Sequence, residues 1–233
     1  MTPELVQLTT YVSIFIQFLT GLFGAIGLKY RLPIPHKILG DALKLEMIVQ
    51  TIEFLFYVWL ITYFSLEKMA LTRYYDWFIT TPVMLFTTML VYEYLIQVER
   101  NKDTKLTFTD FIKTYKNIII TVVISNFIML LAGYLGELGV ISITLATIIG
   151  FIALAFSFIV IYKHFAYQLQ DKEKVLFYLL VIFWSLYGIA YLFPVAIKNI
   201  SYNFLDIIAK NFFGLYLYYK IVQVAKGLKI GSI

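Results

Sequence analysis

The stretch Tyr202–Val224 reads YNFLDIIAKNFFGLYLYYKIVQV, and its reading decides the solvent in which this chain folds. It is long and apolar enough to cross a hydrocarbon layer about 30 Å thick as a helix, yet it carries Asp206 and Lys210 in its interior. Read from Tyr202, Lys210 lies about 12 Å deep at about 1.5 Å per residue, too far in to snorkel to either interface. Asp206 precedes it by one turn on the same face, so the two charges can neutralise each other. Ionisable groups inside a span cost about 2.5–3.5 kcal/mol on insertion scales and mark a functional site by default. From the pair alone, a structural ion pair and a lysine used to form a Schiff base remain equally open.

Working outward, the rest of the chain has the same character. Of its 233 residues 61% are hydrophobic and 14% charged, where soluble domains run near roughly 45–50% apolar and 25% charged. Hydropathy and helical length place spans near 5–28, 44–64, 71–95, 114–135, 138–162, 174–197 and 202–224. That is an all-α membrane protein, a bundle of seven transmembrane helices forming a single domain over 1–233. Polar connectors such as the Gln97 to Asp110 stretch and Gln170 to Lys174 separate the runs. The start, Met1-Thr2-Pro3-Glu4, lacks the basic region of a cleaved signal peptide, so the first run is expected to stay as a helix. The chain has no cysteine, which removes disulfides, thiolate metal sites and thiol nucleophiles from consideration.

The net charge of +5 is spread over loops and does not form the patch that nucleic acid requires. Its distribution sets an orientation instead. With the N-terminus outside, Lys29, Arg31, Lys37, Lys44, Arg100, Lys102, Lys105, Lys113, Lys116, Lys163, Lys172, Lys174, Lys220, Lys226 and Lys229 all fall on the cytoplasmic side. Only Lys68, Arg73 and Lys198 face out, so the C-terminus is expected inside. The charges that loops do not absorb are Glu46, Glu53, Arg73, Asp76, Asp206 and Lys210, with Glu93 at a border.

The third span carries Arg73-Tyr74-Tyr75-Asp76-Trp77-Phe78-Ile79-Thr80-Thr81-Pro82, which puts Arg73, Asp76, Thr80 and Thr87 within about 60° of one another at about 100° per residue. This segment resembles the third-helix signature of the microbial rhodopsins. Asp206-Ile207-Ile208-Ala209-Lys210 resembles their seventh helix, and Trp184-Ser185-Leu186-Tyr187 their sixth. The resemblance implies all-trans retinal bound to Lys210 as a protonated Schiff base, with Asp76 and Asp206 as counterions and Arg73 offsetting their mutual repulsion. It implies a pocket of Trp77, Thr80, Thr81, Met84, Met129, Gly133, Trp184, Tyr187 and Tyr191, although aromatics in such runs are more often ordinary core. Gly188 departs from the family pattern, which has proline after that tyrosine.

The resemblance leaves pump, channel and sensor to be separated. Proton pumps of the family place a carboxylate eleven residues after the counterion, about 16 Å along the axis; here that residue is Thr87. The segment Leu192 to Asn203 holds no acid, so the expected outer release group is missing too. The second span is rich where the third is poor: Glu46, Gln50 and Glu53 fall at i, i+4 and i+7 on one stripe. Such a row suits a cation pathway, in which carboxyl groups replace hydration and exclude anions; its plain alternative is a structural hydrogen-bond network. Asn211 after the lysine, Glu53 in mid-span and Ser13 in the first span resemble the central constriction of channelrhodopsins, and the short chain resembles the channel-forming viral rhodopsins. Asn203 would extend a polar lining outward. The expectation is a light-gated cation channel in which Ser13, Glu53 and Asn211 hydrogen-bond into a plug in the dark. An outward proton pump is the alternative and a sensory photoreceptor a more distant one. Asp76 argues against a halide pump, since it puts negative charge where the anion would bind. The implied partners are the lipid bilayer, cations or protons, and further copies of the chain in a homo-oligomer, with no nucleic acid, no metal and no enzyme activity.

Overall fold

A computed structural model of the chain describes residues 2–100 and 106–227; Lys102, Lys105 and Lys229 of the orientation argument lie outside them. The helices are α1 Pro3–Gly27, α2 Lys37–Thr62, α3 Leu66–Glu99, α4 Phe108–Glu137, α5 Ile143–His164 and α6 Asp171–Ala190. A seventh span is built from α7 Val195–Asp206, a π-helical turn Ile207–Asn211 and α8 Phe212–Ala225. Among the described residues six helices are long and apolar enough to cross a bilayer unbroken, and the seventh crossing is the one interrupted by the π turn. The protein is an integral, multi-pass membrane protein.

Each span packs on the next in chain order, and α7 and α8 return to α1, closing a ring. The apolar surface of that ring faces outward, the reverse of a soluble fold. On α5, Ile148, Ile152, Phe156 and Ile159 repeat at three- and four-residue spacing and are all at least half exposed, because lipid is as apolar as any side chain. The interior is where polar groups collect. The α3 helix is the most enclosed span, packing on α2, α4 and α7, and it brings Arg73 and Asp76 with it.

Several boundaries differ from those read along the sequence, among them the starts of α2, at Lys37 and not 44, and of α4, at Phe108 and not 114. The sixth span stops at Ala190 and the seventh starts at Val195, not at 202. Pro194 is the reason: it has no N–H to continue a helix and instead caps the next one. Lys210 therefore lies fifteen residues beyond Val195, still in mid-span, and Lys198 moves from a loop into the first turn of α7. The fifth span begins at Ile143, not at 138, because Gly139 turns the chain at φ 72° and the Ser142 hydroxyl caps α5 by accepting from the Leu145 N–H at 3.2 Å. The α3 helix runs from Leu66 to Glu99, beyond the expected 71–95 at both ends.

Short contacts tie the ends of the bundle. At one end Lys198 meets Glu137 of α4 at 2.6 Å, so an acid from a different helix serves a stretch that has none of its own. At the other, the His36 ring bonds the buried Tyr94 hydroxyl at 2.6 Å, and its partial burial holds the imidazole below the usual histidine range.

Candidate functional site

The π turn presents Lys210 to the bundle interior, where it is buried with three carboxyl groups around it. Its Nζ lies 2.7 Å from Asp76 Oδ2, 3.4 Å from Glu53 Oε1 and 3.7 Å from Asp206 Oδ1. Arg73 is the second cation and bonds Asp206 at 3.1 Å. Two cations thus face three carboxyl groups, and hydrogen bonding separates the three. Asp206 accepts from the Tyr57 hydroxyl at 2.5 Å, the Tyr187 hydroxyl at 2.7 Å and Arg73. Among the described residues the Asp76 carboxyl accepts from Lys210 alone. Neither oxygen of Glu53 receives a hydrogen bond among the described residues, so Glu53 is the carboxyl left over.

Arg73 is held from every side. Its Nη1 donates to the Tyr57 hydroxyl at 2.7 Å, its Nη2 to Asn203 and its Nε to Asn199 at 3.5 Å. Its guanidinium lies over the rings of Tyr57 and Tyr202 at 5.1 and 5.7 Å, a cation–π geometry. Asn203 passes the network on to α1, donating to Thr9 at 2.8 Å and Thr10 at 3.0 Å.

Next to Lys210 a cavity opens between the helices, walled by Trp77, Met84, Met129, Trp184, Tyr187 and Tyr191. Thr81 and Gly133 also line it, and among the described residues Lys210 and Asp206 are its only charged lining groups. Gly150 lines it too, and a Cβ there would find only the Met129 carbonyl, 3.9 Å away, so glycine leaves that stretch of wall open. An apolar, aromatic slot with one amine fits retinal. Gly188, in place of the family's proline, admits the Phe151 ring: a Cβ there would stand 2.6 Å from the ring edge.

The sequence-derived residues do not all meet as expected. Thr80 lies outside the cavity wall and turns its hydroxyl onto the Asp76 carbonyl at 3.0 Å. The plug of Ser13, Glu53 and Asn211 is not formed. Ser13 accepts from Gln17 at 3.0 Å, Asn211 accepts from Thr20, and Glu53 turns to Lys210. Glu53 was expected in a plug with Ser13 and Asn211; it lies within the lysine's carboxyl set instead, because helix rotation, which spacing alone does not reveal, aims the α2 stripe at the π turn and α8. Gln50 reaches the notch at Gly214, where any Cβ would overlap its amide. Glu46 comes to rest beside Thr87.

Several members of the site escaped the sequence reading. Tyr57 extends the Glu46, Gln50, Glu53 stripe by one more turn, so the same spacing could have found it. Thr10, Gln17 and Thr20 likewise join Ser13, which the sequence did single out, in an equivalent stripe on α1. Asn199 carried no signal beyond its polarity. Asn126 of α4 donates to Thr81 at 2.8 Å beside the cavity; a buried amide in an apolar run was its signal.

The family model for bacteriorhodopsin-like proteins matches residues 5–224. Among solved structures the chain is similar to viral rhodopsin OLPVRII, with 26% identity over 94% of this chain and 99% of that one and a TM-score of 0.79. It is similar in fold to blue light-absorbing proteorhodopsin from Med12, at 20% identity, 95% and 98% coverage and a TM-score of 0.72. The same holds for Exiguobacterium sibiricum rhodopsin, at 18%, 97% and 98%, and 0.71. Comparison with curated proteins finds no match.

Proposed function

The chain belongs to the bacteriorhodopsin-like family, and from that premise we propose that it is a light-gated cation channel with retinal on Lys210. The family holds retinal through a Schiff base to a lysine. Lys210 suits that role by its burial, its carboxyl partners and the aromatic slot beside it. Retinal supplies a change of shape on absorbing light; the protein's residues do the rest. Asp76 and Asp206 balance positive charge at Nζ, Arg73 and the tyrosines hold Asp206 in place, and Trp77, Trp184, Tyr187 and Tyr191 confine the ligand and exclude water.

One observation carries the channel reading. Gln17, Glu46, Gln50, Glu53 and Asn211 are buried, and each has a side-chain oxygen or nitrogen with no hydrogen-bond partner among the described residues. Burying such a group dry costs about 1–3 kcal/mol, so the row between α1, α2 and α8 is a place for internal water. A hydrated row lined by carboxyl groups conducts cations and repels anions.

A second reading, an outward proton pump, has its own support. The position at which pumps keep a proton-donating carboxyl is Thr87, and the Glu46 carboxyl of α2 sits beside it. Voltage-clamp recording of light-evoked current distinguishes the two. Current that reverses with the imposed cation gradient is expected; current outward at every accessible voltage would replace the channel with the pump. With the N-terminus outside, the water-holding row lies on the cytoplasmic side of Lys210.

A further inference from the structure

A π turn is rare in helices and concentrates at functional sites, so its neighbours must hold the turn that carries Lys210. Besides the contact of Lys210 itself with Asp76, one side-chain hydrogen bond does so from outside the seventh span. The hydroxyl of Thr20 on α1 donates to the side-chain oxygen of Asn211, the last residue of the turn. Both residues are buried. We propose that Thr20 is a positioning residue for Lys210: it latches the π turn in the resting protein, lets go when the load on the lysine changes shape, and sets how fast the resting state returns. The proposal rests on Lys210 being the retinal lysine.

The chemistry of the two side chains makes the latch reversible. The Thr20 hydroxyl has one proton and three acceptors within reach: Asn211 and the carbonyls of Ile16 and Gln17, each at 3.0 Å. Rotating away from Asn211 therefore leaves no donor unsatisfied, because a threonine hydroxyl pairs readily with the carbonyl one turn back. Asn211 has no such fallback. Its amide nitrogen is unpartnered, and the bond from Thr20 is its side chain's single hydrogen bond among the described residues. Release thus frees the whole side chain at the residue joined to Lys210, and re-forming the bond favours the resting turn. Because the Thr20 donor stays satisfied and only the Asn211 oxygen loses its partner, the difference between the two states is about that of one net hydrogen bond, an effect of about two- to tenfold on a rate.

The test uses Thr20→Val, which keeps the shape and removes the hydroxyl, and Thr20→Ser, which keeps the hydroxyl. Thr20→Ala serves as the second hydroxyl-free variant should the valine not assemble. In retinal-free protein, hydrogen–deuterium exchange at the amides of Ile208–Phe212 is expected to quicken about two- to tenfold in Thr20→Val and to stay near wild type in Thr20→Ser. In retinal-loaded protein, flash photolysis is expected to show the return to the resting spectrum slowed by a similar factor, with the absorption maximum unmoved. A valine variant that matches wild type in both measurements overturns the latch, as does a serine variant that behaves like the valine. A colour shift as large as that of a counterion variant would mean that Thr20 shapes the chromophore site instead. If no retinal attaches to Lys210, the functional reading fails, while the exchange measurement on retinal-free protein still decides whether the latch exists.

Discussion

The two halves of the bundle on either side of Lys210 are built on opposite principles. Toward the end where α7 begins, every polar side chain near the axis has a partner: Asp206 has three donors, and Arg73 has three acceptors and a fourth partner in Asp206. Toward the end where α8 finishes, Glu53, Gln50 and Glu46 lie buried with carboxyl or amide oxygens unpaired. A fully satisfied buried network is rigid, since any movement breaks several bonds at once. An unsatisfied one must be completed by water, and water moves. On the channel reading proposed above, the halves would divide the labour of a gated path between a fixed wall and a yielding one, with the lysine between them.

The comparison can be broken at its centre. Lys210→Ala is expected to abolish covalent retinal and all visible absorption, while the apolar helices still insert. A visible-absorbing covalent adduct in that variant would remove the lysine from its role. The rigid half is probed by Arg73→Gln, which leaves Asp206 buried beside Lys210 without its strongest partner. Losing one member of a buried pair costs about 3–5 kcal/mol, so thermal unfolding should come at a markedly lower temperature. A loss below about 1 kcal/mol would mean that the tyrosines and asparagines hold that half without the guanidinium.

Asp76→Asn tests the boundary between the halves. Asp76 is the carboxyl nearest Nζ, so removing its charge is expected to move absorption to longer wavelength at neutral pH while stability changes less than in Arg73→Gln. An unmoved spectrum would assign the counterion role to Asp206 alone. The smallest structural effect is expected in the yielding half. Glu53→Gln removes a carboxyl that receives no hydrogen bond, so stability should stay within about 1 kcal/mol of wild type and colour should change little, while reversal potentials in sodium and proton gradients shift. A strong colour change with identical conduction would make Glu53 a counterion and not part of the path.

Much of this was legible along the chain. Lys210, Asp206, Arg73 and Asp76 announce themselves because an ionisable residue in an apolar run has no cheap explanation. Periodicity was enough to put Glu46, Gln50 and Glu53 on one face. It did not say which neighbour that face meets, and so Glu53 was assigned to a plug with Ser13 and Asn211 when it lies against the lysine. Asn199 and Thr20 went unread for the same reason, and Tyr57, which the stripe's spacing could have flagged, was passed over as ordinary core. A tyrosine, asparagine or threonine in a helix is unremarkable until its partner on another helix is known.

The sequence by itself determined the solvent, the number of crossings and the identity of the charged residues that lipid would not tolerate, because those follow from composition and from the local periods of one helix. Only the tertiary structure decided which carboxyl is left without a donor, that Thr20 and not Ser13 meets Asn211, and that Glu137 of α4 answers Lys198 of α7. Those pairings depend on the rotation and depth of each helix against its neighbours. Packing of the whole ring sets both, and no single span encodes them.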